Sequence, residues 1–348
     1  MKQVSIEQLV RPIIKEIIPY RSARDEFEDF DAEKIFLDAN ENPFENGFNR
    51  YPDPLQRKLK RTLADVKQVK SEQILLGNGS DEVLDLIFRT FCEPGEEEVL
   101  ILPPTYGMYS VLAKLNNIIV KEVPLNKNFE IEIDSVLEAV NQKTKIIFIC
   151  SPNNPSGNAI PLDQIKQLLD RFKGILVVDE AYIDFSEQKS ALSILDQYPQ
   201  LLVCQTFSKA YGLAGIRLGM CYANPLIIDY FNKIKPPYNV NSLTQSRALA
   251  QLETSESIQN QVISLISERK KLEQELKQFD FVSKIYPSDA NFLLVVVDDA
   301  NKRYDQFLDA GVVLRNRSRL QGCNNALRVT VGTPEENTNF IKICKIID

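Results

Sequence analysis

The 348-residue sequence predicts an α/β protein: a mostly parallel seven-stranded sheet sandwiched by helices, with a smaller α+β domain. Three observations lead there. Between residues 70 and 223, short apolar and often β-branched runs alternate with stretches of helical periodicity. Two of those runs, KIIFIC (145–150) and ILVV (175–178), are apolar throughout, as in strands covered on both faces. Beyond residue 256 the pattern changes to one long amphipathic helix followed by shorter mixed elements.

Taken in order, residues 1–30 read as a helix-like N-terminal arm ending in IIPYRSARDE. Residues 31–235 form the large domain. Its expected strands are QILL (73–76), EVLIL (98–102), IIVKEV (118–123), KIIFIC, ILVV, LLVCQTF (201–207) and RLGMCYA (217–223), and QIKQLLDRF (164–172) has helical spacing between two of them. The Pro- and Asn-rich KIKPPYNVNS (233–242) marks the junction with a small domain at 236–348. There Ile258, Val262, Leu265, Ile266, Leu272, Leu276 and Phe279 share one face of a helix. FVSKI, NFLLVVV, GVVLR and ALRVTVG are strand-like, and NKRYDQFLDAG and EENTNFIKICKII helix-like.

Composition narrows the function. A net charge of -7 argues against nucleic acid as a partner. No polybasic run, membrane-length apolar stretch or signal-like N-terminus is present, so a cytoplasmic location is expected. The six cysteines form no CxxC, and burial as small hydrophobes is the expectation for most. Histidine is absent. That removes Ser-His-Asp and Cys-His catalysis and the usual zinc ligand, so no metal site is expected. An enzyme of this composition needs another proton carrier, and a lysine with a lowered pKa is the leading candidate.

Four motifs stand at strand ends, where ligand sites of such sheets lie. In LLGNGSDEVLDLIF, glycines and a helix start allow a phosphate to approach; taken alone, a plain turn with Ser80 as N-cap is the commoner explanation of such residues. Asp81 would have to turn away from a phosphate. CSPNNPSGN (150–158) is a turn, or an amide donor aimed at a cofactor oxygen. In ILVVDEAYIDF (175–185), Asp179 at the end of a buried run needs a cationic or hydrogen-bonding partner, either an ion pair or a protonated ring nitrogen, with Tyr182 in reach of the same ligand. TFSKAYGLAGIRLG (206–219) puts Lys209 after a buried run, where desolvation makes its amine a better nucleophile. Thr206 and Ser208 offer hydroxyls beside it, and Arg217 offers a fork suited to phosphate. Together these supply the lysine, the acid and the phosphate cup that pyridoxal phosphate needs.

On these motifs, and on PYRSARDE (19–26), LDANENPF (37–44), NRYPDP (49–54), PPTYGMY (103–109) and LRVTVG (327–332), the chain resembles the fold-type-I pyridoxal-phosphate aminotransferases. PYRSAR and LDANENP resemble their histidinol-phosphate branch. The resemblance covers nearly the whole chain. It implies pyridoxal 5'-phosphate bound to Lys209, with Asp179 on the pyridine nitrogen. Asn154 and Tyr182 would bond the ring hydroxyl oxygen, and Tyr106 would stack on the ring. Gly79, Ser80, Asp81, Thr206, Ser208 and Arg217 would surround the phosphate. It implies a homodimer in which Tyr51 reaches the other subunit's cofactor. Tyr20, Asn154, Arg315 and Arg328 would contact the substrates, L-histidinol phosphate and 2-oxoglutarate or glutamate, in a step of histidine biosynthesis. An aromatic or broad-specificity aminotransferase, an amino-acid-phosphate decarboxylase and a non-catalytic binding module of the same fold are the alternatives.

Overall fold

The computed structural model describes residues 4–20, 22, 24 and 35–348. The larger sheet contains β1 (Ile74–Asn78), β2 (Glu98–Ile101), β3 (Ile119–Glu122), β4 (Thr144–Cys150), β5 (Ile175–Asp179), β6 (Leu201–Thr206) and β7 (Leu218–Tyr222), in the spatial order β1-β7-β6-β5-β4-β2-β3. Pairing is parallel from β3 through β6, and β7 runs antiparallel to both of its neighbours, β6 and β1. The expectation of a mostly parallel seven-stranded sheet therefore holds, with β7 as the departure.

Strand alternation builds two cores. Ile146, Phe148 and Cys150 of β4 face one, and Ile147 and Ile149 face the other. The first core is covered by α4 (Gly79–Phe91), by helices Met108–Leu115 and Pro225–Ile234, and by the N-terminal arm. The second is covered by α3 (Arg57–Lys67), helix Leu162–Arg171 and helix Ser242–Leu252. The arm is two short helices, α1 (Ile6–Leu9) and α2 (Pro12–Glu16). Pro12 disfavours helical backbone at Arg11, so the helix breaks there, while Ile6, Val10 and Ile14 still bury against the sheet.

A second, four-stranded antiparallel sheet has the order β10-β11-β9-β8, from β8 (Val282–Ile285), β9 (Phe292–Val297), β10 (Arg315–Asn316) and β11 (Ala326–Thr330). Of the strand-like GVVLR, only Arg315 pairs, although Val312 and Leu314 pack against the core and Val313 is exposed, the alternation of a strand. Helix Ser255–Leu276 covers this sheet. Its buried Arg269 donates to the carbonyls of Ala290 (2.5 Å) and Phe185 (3.5 Å), tying the second sheet to the loop after β5. Among the described residues no helix is long and apolar enough to cross a membrane.

The start of α4 is pressed against β7. Gly79 has φ +74°, donates its N–H to the Arg217 carbonyl (3.0 Å), and begins the helix. Asn78 therefore takes the N-cap position, two residues earlier than Ser80 would, and makes no side-chain cap bond. A Cβ on Gly219 would lie 2.3 Å from both the Gly79 carbonyl carbon and the Ser80 nitrogen. Gly219→Ala should accordingly cost about 1–3 kcal/mol through overpacking against backbone, seen as a lower denaturation midpoint. An unchanged midpoint would mean that the helix start can retreat freely.

Candidate active site

A cavity of about 340 Å³ opens at the carboxyl ends of β4, β5 and β6. Parallel register sets its floor, since Cys150 of β4 and Cys204 of β6 both lie opposite Asp179 of β5. The cavity also receives the amino end of β7, because an antiparallel strand begins where its neighbours finish.

Asp179 is 3% exposed. Its Oδ2 accepts from the Tyr109 hydroxyl (2.7 Å) and its Oδ1 from the Ala181 N–H (3.2 Å). Among the described residues no lysine or arginine forms an ion pair with it within 4.0 Å. Burial pushes its carboxyl up to about 6, against the pull of those two donors. Tyr109 is itself fixed by stacking on Phe148 (4.9 Å between centroids), within the core under the sheet.

Lys209 follows β6 and makes no hydrogen bond or ion pair among the described residues; its Nζ lies 5.4 Å from the Tyr182 ring centre. Its side chain opens into the cavity. The surrounding protein still removes water from the amine, and Arg328 and Arg217 repel its charge, so its pKa is lowered against the opposing attraction of Asp179 and Asp81. The site thus contains an amine and a carboxylate without ion-pair partners, in one cavity.

At one end, the first turn of α4 meets Arg217. The guanidinium lies over Gly79, where an added Cβ would be 2.6 Å from Nη2. Thr206 Oγ1 and Ser208 Oγ are 3.0 Å apart on the same wall. Exposed N–H groups, two hydroxyls and a guanidinium make this end able to hold a phosphate. Asp81 is not turned away: its carboxylate accepts from the Tyr106 hydroxyl (3.0 Å) and lies 3.9 Å from Arg217 Nη2. Tyr106 is held edge-on to Tyr109, 5.6 Å between centroids.

At the other end, Arg328 of β11 donates from Nη1 to Asn154 Oδ1 (2.6 Å), joining the small sheet to the loop after β4. Tyr182 is buried edge-on to Phe292, and burial pushes its phenol up. Arg315 and Arg328 are register partners across β10 and β11, so both reach the cavity from one face. In all, five cationic side chains and two carboxylates line it. Among the described residues no cluster of cysteine, aspartate and glutamate suits a metal ion.

Two residues expected at the site lie apart from it in their own chain. Tyr51 is half exposed and stacks on Tyr238, 4.5 Å between centroids. Tyr20 is 77% exposed. The rest of its motif is only partly visible, with Arg21, Ala23, Asp25 and Glu26 outside the described residues. Arg24 is buried and binds Asp38 (2.8 Å) and Glu41 (2.7 Å) of LDANENPF. Glu41 also takes Arg50 (2.8 Å) and the Tyr51 N–H (2.6 Å). Burial raises its carboxyl pKa, but these donors outweigh that and hold it below the ordinary range. Two residues were not singled out by sequence reasoning. Tyr109 lies within PPTYGMY, but its contact with Asp179 is 70 residues away in sequence. Arg317 lines the cavity beside Arg315, and the alternation Arg315, Arg317 in RNRSR was the available signal.

The model of the family "Aminotransferase class I and II" matches residues 27–343. The chain is 54% identical to the histidinol-phosphate aminotransferase of Flavobacterium johnsoniae, over all of both chains. It is 56% identical to that of Christiangramia forsetii, over all of this chain and 99% of the relative. Among solved structures, the histidinol-phosphate aminotransferase of Clostridium acetobutylicum superposes with a TM-score of 0.80 at 25% identity, covering 86% of this chain and 91% of that one. By fold and family the chain is thus one of the class I and II aminotransferases. Within them it belongs to the histidinol-phosphate aminotransferase family.

The burial of Asp179 has a measurable consequence in the ligand-free protein. Its folded-state pKa of about 6 exceeds the ordinary 3.8, so between those values the folded chain binds more protons than the unfolded one. Stability from this group is therefore lost as pH rises from 4 to 6, by roughly 3 kcal/mol in all. Asp179→Asn should remove that loss, so thermal midpoints of the ligand-free proteins should diverge across this window, the variant becoming the more stable. Parallel curves would contradict the assignment.

Proposed function

We propose that the chain catalyses pyridoxal-phosphate-dependent transamination between L-histidinol phosphate and 2-oxoglutarate. The observation that carries this reading is the pairing of Lys209 and Asp179 in one cavity, an amine and a buried carboxylate, each without an ion-pair partner among the described residues. Family membership supports the reaction, and the surplus of cations supports an anionic substrate.

The residues fit the cofactor. Asp179 suits a protonated ring nitrogen, and Tyr109 orients its carboxylate. Asn154 spends Oδ1 on Arg328, which leaves its Nδ2 hydrogens, with the Tyr182 hydroxyl, for the ring's hydroxyl oxygen. Tyr106 offers a flat face held by Asp81. The first turn of α4, Thr206, Ser208 and Arg217 suit the phosphate, with Gly79 giving the guanidinium room.

When bound, pyridoxal phosphate supplies an aldehyde for an amine and an electron-withdrawing ring that weakens the substrate Cα–H bond. The chain's own residues do the rest. Lys209 Nζ is the nucleophile for the covalent link, and the lowering of its pKa by burial and by Arg328 enlarges the neutral fraction that can attack. Once free, the same Nζ is the base for the substrate Cα proton, the role that an absent histidine leaves open. Arg328 and Arg315 bind the anionic group of either substrate by forked hydrogen bonds. The Asn154–Arg328 bond keeps the wall of that subsite fixed to the cofactor side.

The dimer belongs to the same proposal. Ile18, Tyr20, Ile35, Leu37, Phe44 and Phe48 are exposed, apolar side chains suited to burial against a second copy. Tyr51 and Tyr20 do not line their own chain's cavity, which supports their use in the partner's.

Lys209→Ala should abolish the visible absorbance band of the loaded protein and slow each half-reaction by at least about 10²–10⁴-fold. A colourless wild type that pyridoxal phosphate cannot reconstitute would remove the enzyme reading. Single half-reactions with L-histidinol phosphate, phenylalanine and threonine phosphate discriminate the alternatives, and preference for either of the last two would replace the substrate proposed. Mixed dimers of Lys209→Ala and Tyr51→Ala subunits should regain activity that neither parent has, since one site then holds neither change. No regain on mixing would place Tyr51 outside the shared site.

A further inference from the structure

Three guanidiniums, not two, point from the small sheet into the cavity. Arg315 and Arg328 are opposite each other in the β10–β11 register. Arg317 lies two residues beyond Arg315, on the same face by the alternation of extended backbone. Its N–H donates to the Ala326 carbonyl (2.8 Å), which carries the pairing one step past β10 and aims the side chain at the same space. Among the described residues none of the three meets a carboxylate. Arg328 donates to the neutral Asn154, and among the described residues neither Arg315 nor Arg317 has a side-chain hydrogen bond or ion pair. The Nε atoms of Arg317 and Arg328 are buried without an acceptor. Burial, then repulsion from Arg328 and Arg315, pushes Arg317 down to about 10, so the cluster is electrostatically strained in the absence of an anion.

The number of forks can be set against the number of acceptor sites. A carboxylate has two oxygens and one negative charge, and two arginine forks saturate it. A phosphate monoester has three terminal oxygens and a charge near −2 at neutral pH. Only the phosphate offers acceptors and charge for a third fork. We propose that Arg317 is a specificity-determining residue that selects a phosphate-ester substrate over a carboxylate at the subsite formed with Arg315 and Arg328. The inference rests on the function proposed above. It goes beyond it in dividing the arginines: two serve both substrates, and the third serves the phosphate alone. Arg319 continues the alternation in sequence but does not line the cavity.

The test uses the loaded dimer in single half-reactions with L-histidinol phosphate and with glutamate. Arg317→Gln should lower the ratio of kcat/KM for the phosphate ester to that for glutamate by about 10- to 100-fold, the scale of one lost charge-assisted hydrogen bond or fork, acting mainly through KM. Arg317→Lys keeps the charge without the fork and should fall between the variant and wild type. Inhibition by inorganic phosphate should weaken in Arg317→Gln, and inhibition by glutarate should weaken much less. An unchanged ratio, or equal losses with both substrates in both variants, would overturn the assignment. Should the wild type fail to use L-histidinol phosphate, the phosphate and glutarate comparison still decides the role of Arg317, so the two failures are distinguishable.

Discussion

The site depends on where the strands of the larger sheet stop. β4, β5 and β6 are parallel and in register, so Cys150, Asp179 and Cys204 lie in one row and the loops after these strands come together at one edge. Asn154, Tyr182 and Lys209 lie in those loops. β7 contributes from its opposite end because it is antiparallel, and this brings Arg217 to the same edge. β1 ends there too, delivering Gly79 and the first turn of α4. A β7 parallel to its neighbours would carry Arg217 to the far side of the sheet.

Charge then defines what the cavity accepts. Asp179 is buried at the cost of desolvation, and two hydrogen bonds from Tyr109 and Ala181 offset only part of it. The cations are arranged the same way: Lys209 is depressed by burial and by Arg328 and Arg217, and Arg317 by burial and its two arginine neighbours. Among the described residues Asp179 and the arginine cluster each lack an ion-pair partner of opposite charge, so a molecule with a cationic ring nitrogen and separate anionic groups would relieve the burial of both.

The described residues around Arg24 and 35–51 are organised by a separate network. Arg24, Asp38, Glu41 and Arg50 link the short motifs near the start of the chain, and Glu41 holds the Tyr51 backbone. The buried arginine requires its carboxylates, and one of those, Glu41, in turn fixes the segment carrying Tyr51.

Much of this was legible in the sequence. Continuous apolar runs marked the covered strands, and residues such as Asp179 and Lys209 stood out because a charge at the end of a buried run demands a partner. Local patterning determined those elements because alternation and burial are properties of adjacent residues. It could not determine that Gly219 clears the path of Gly79. Nor could it say that Tyr109 supports Asp179 from 70 residues away, that Asp81 turns toward Tyr106 and Arg217, or that three arginines share one face. Those relations arise only when strand order, the reversed β7 and the register of β10 on β11 bring distant residues to the same point. Tertiary structure decided them because contact distance and desolvation depend on neighbours in space, which the order of residues along the chain does not specify.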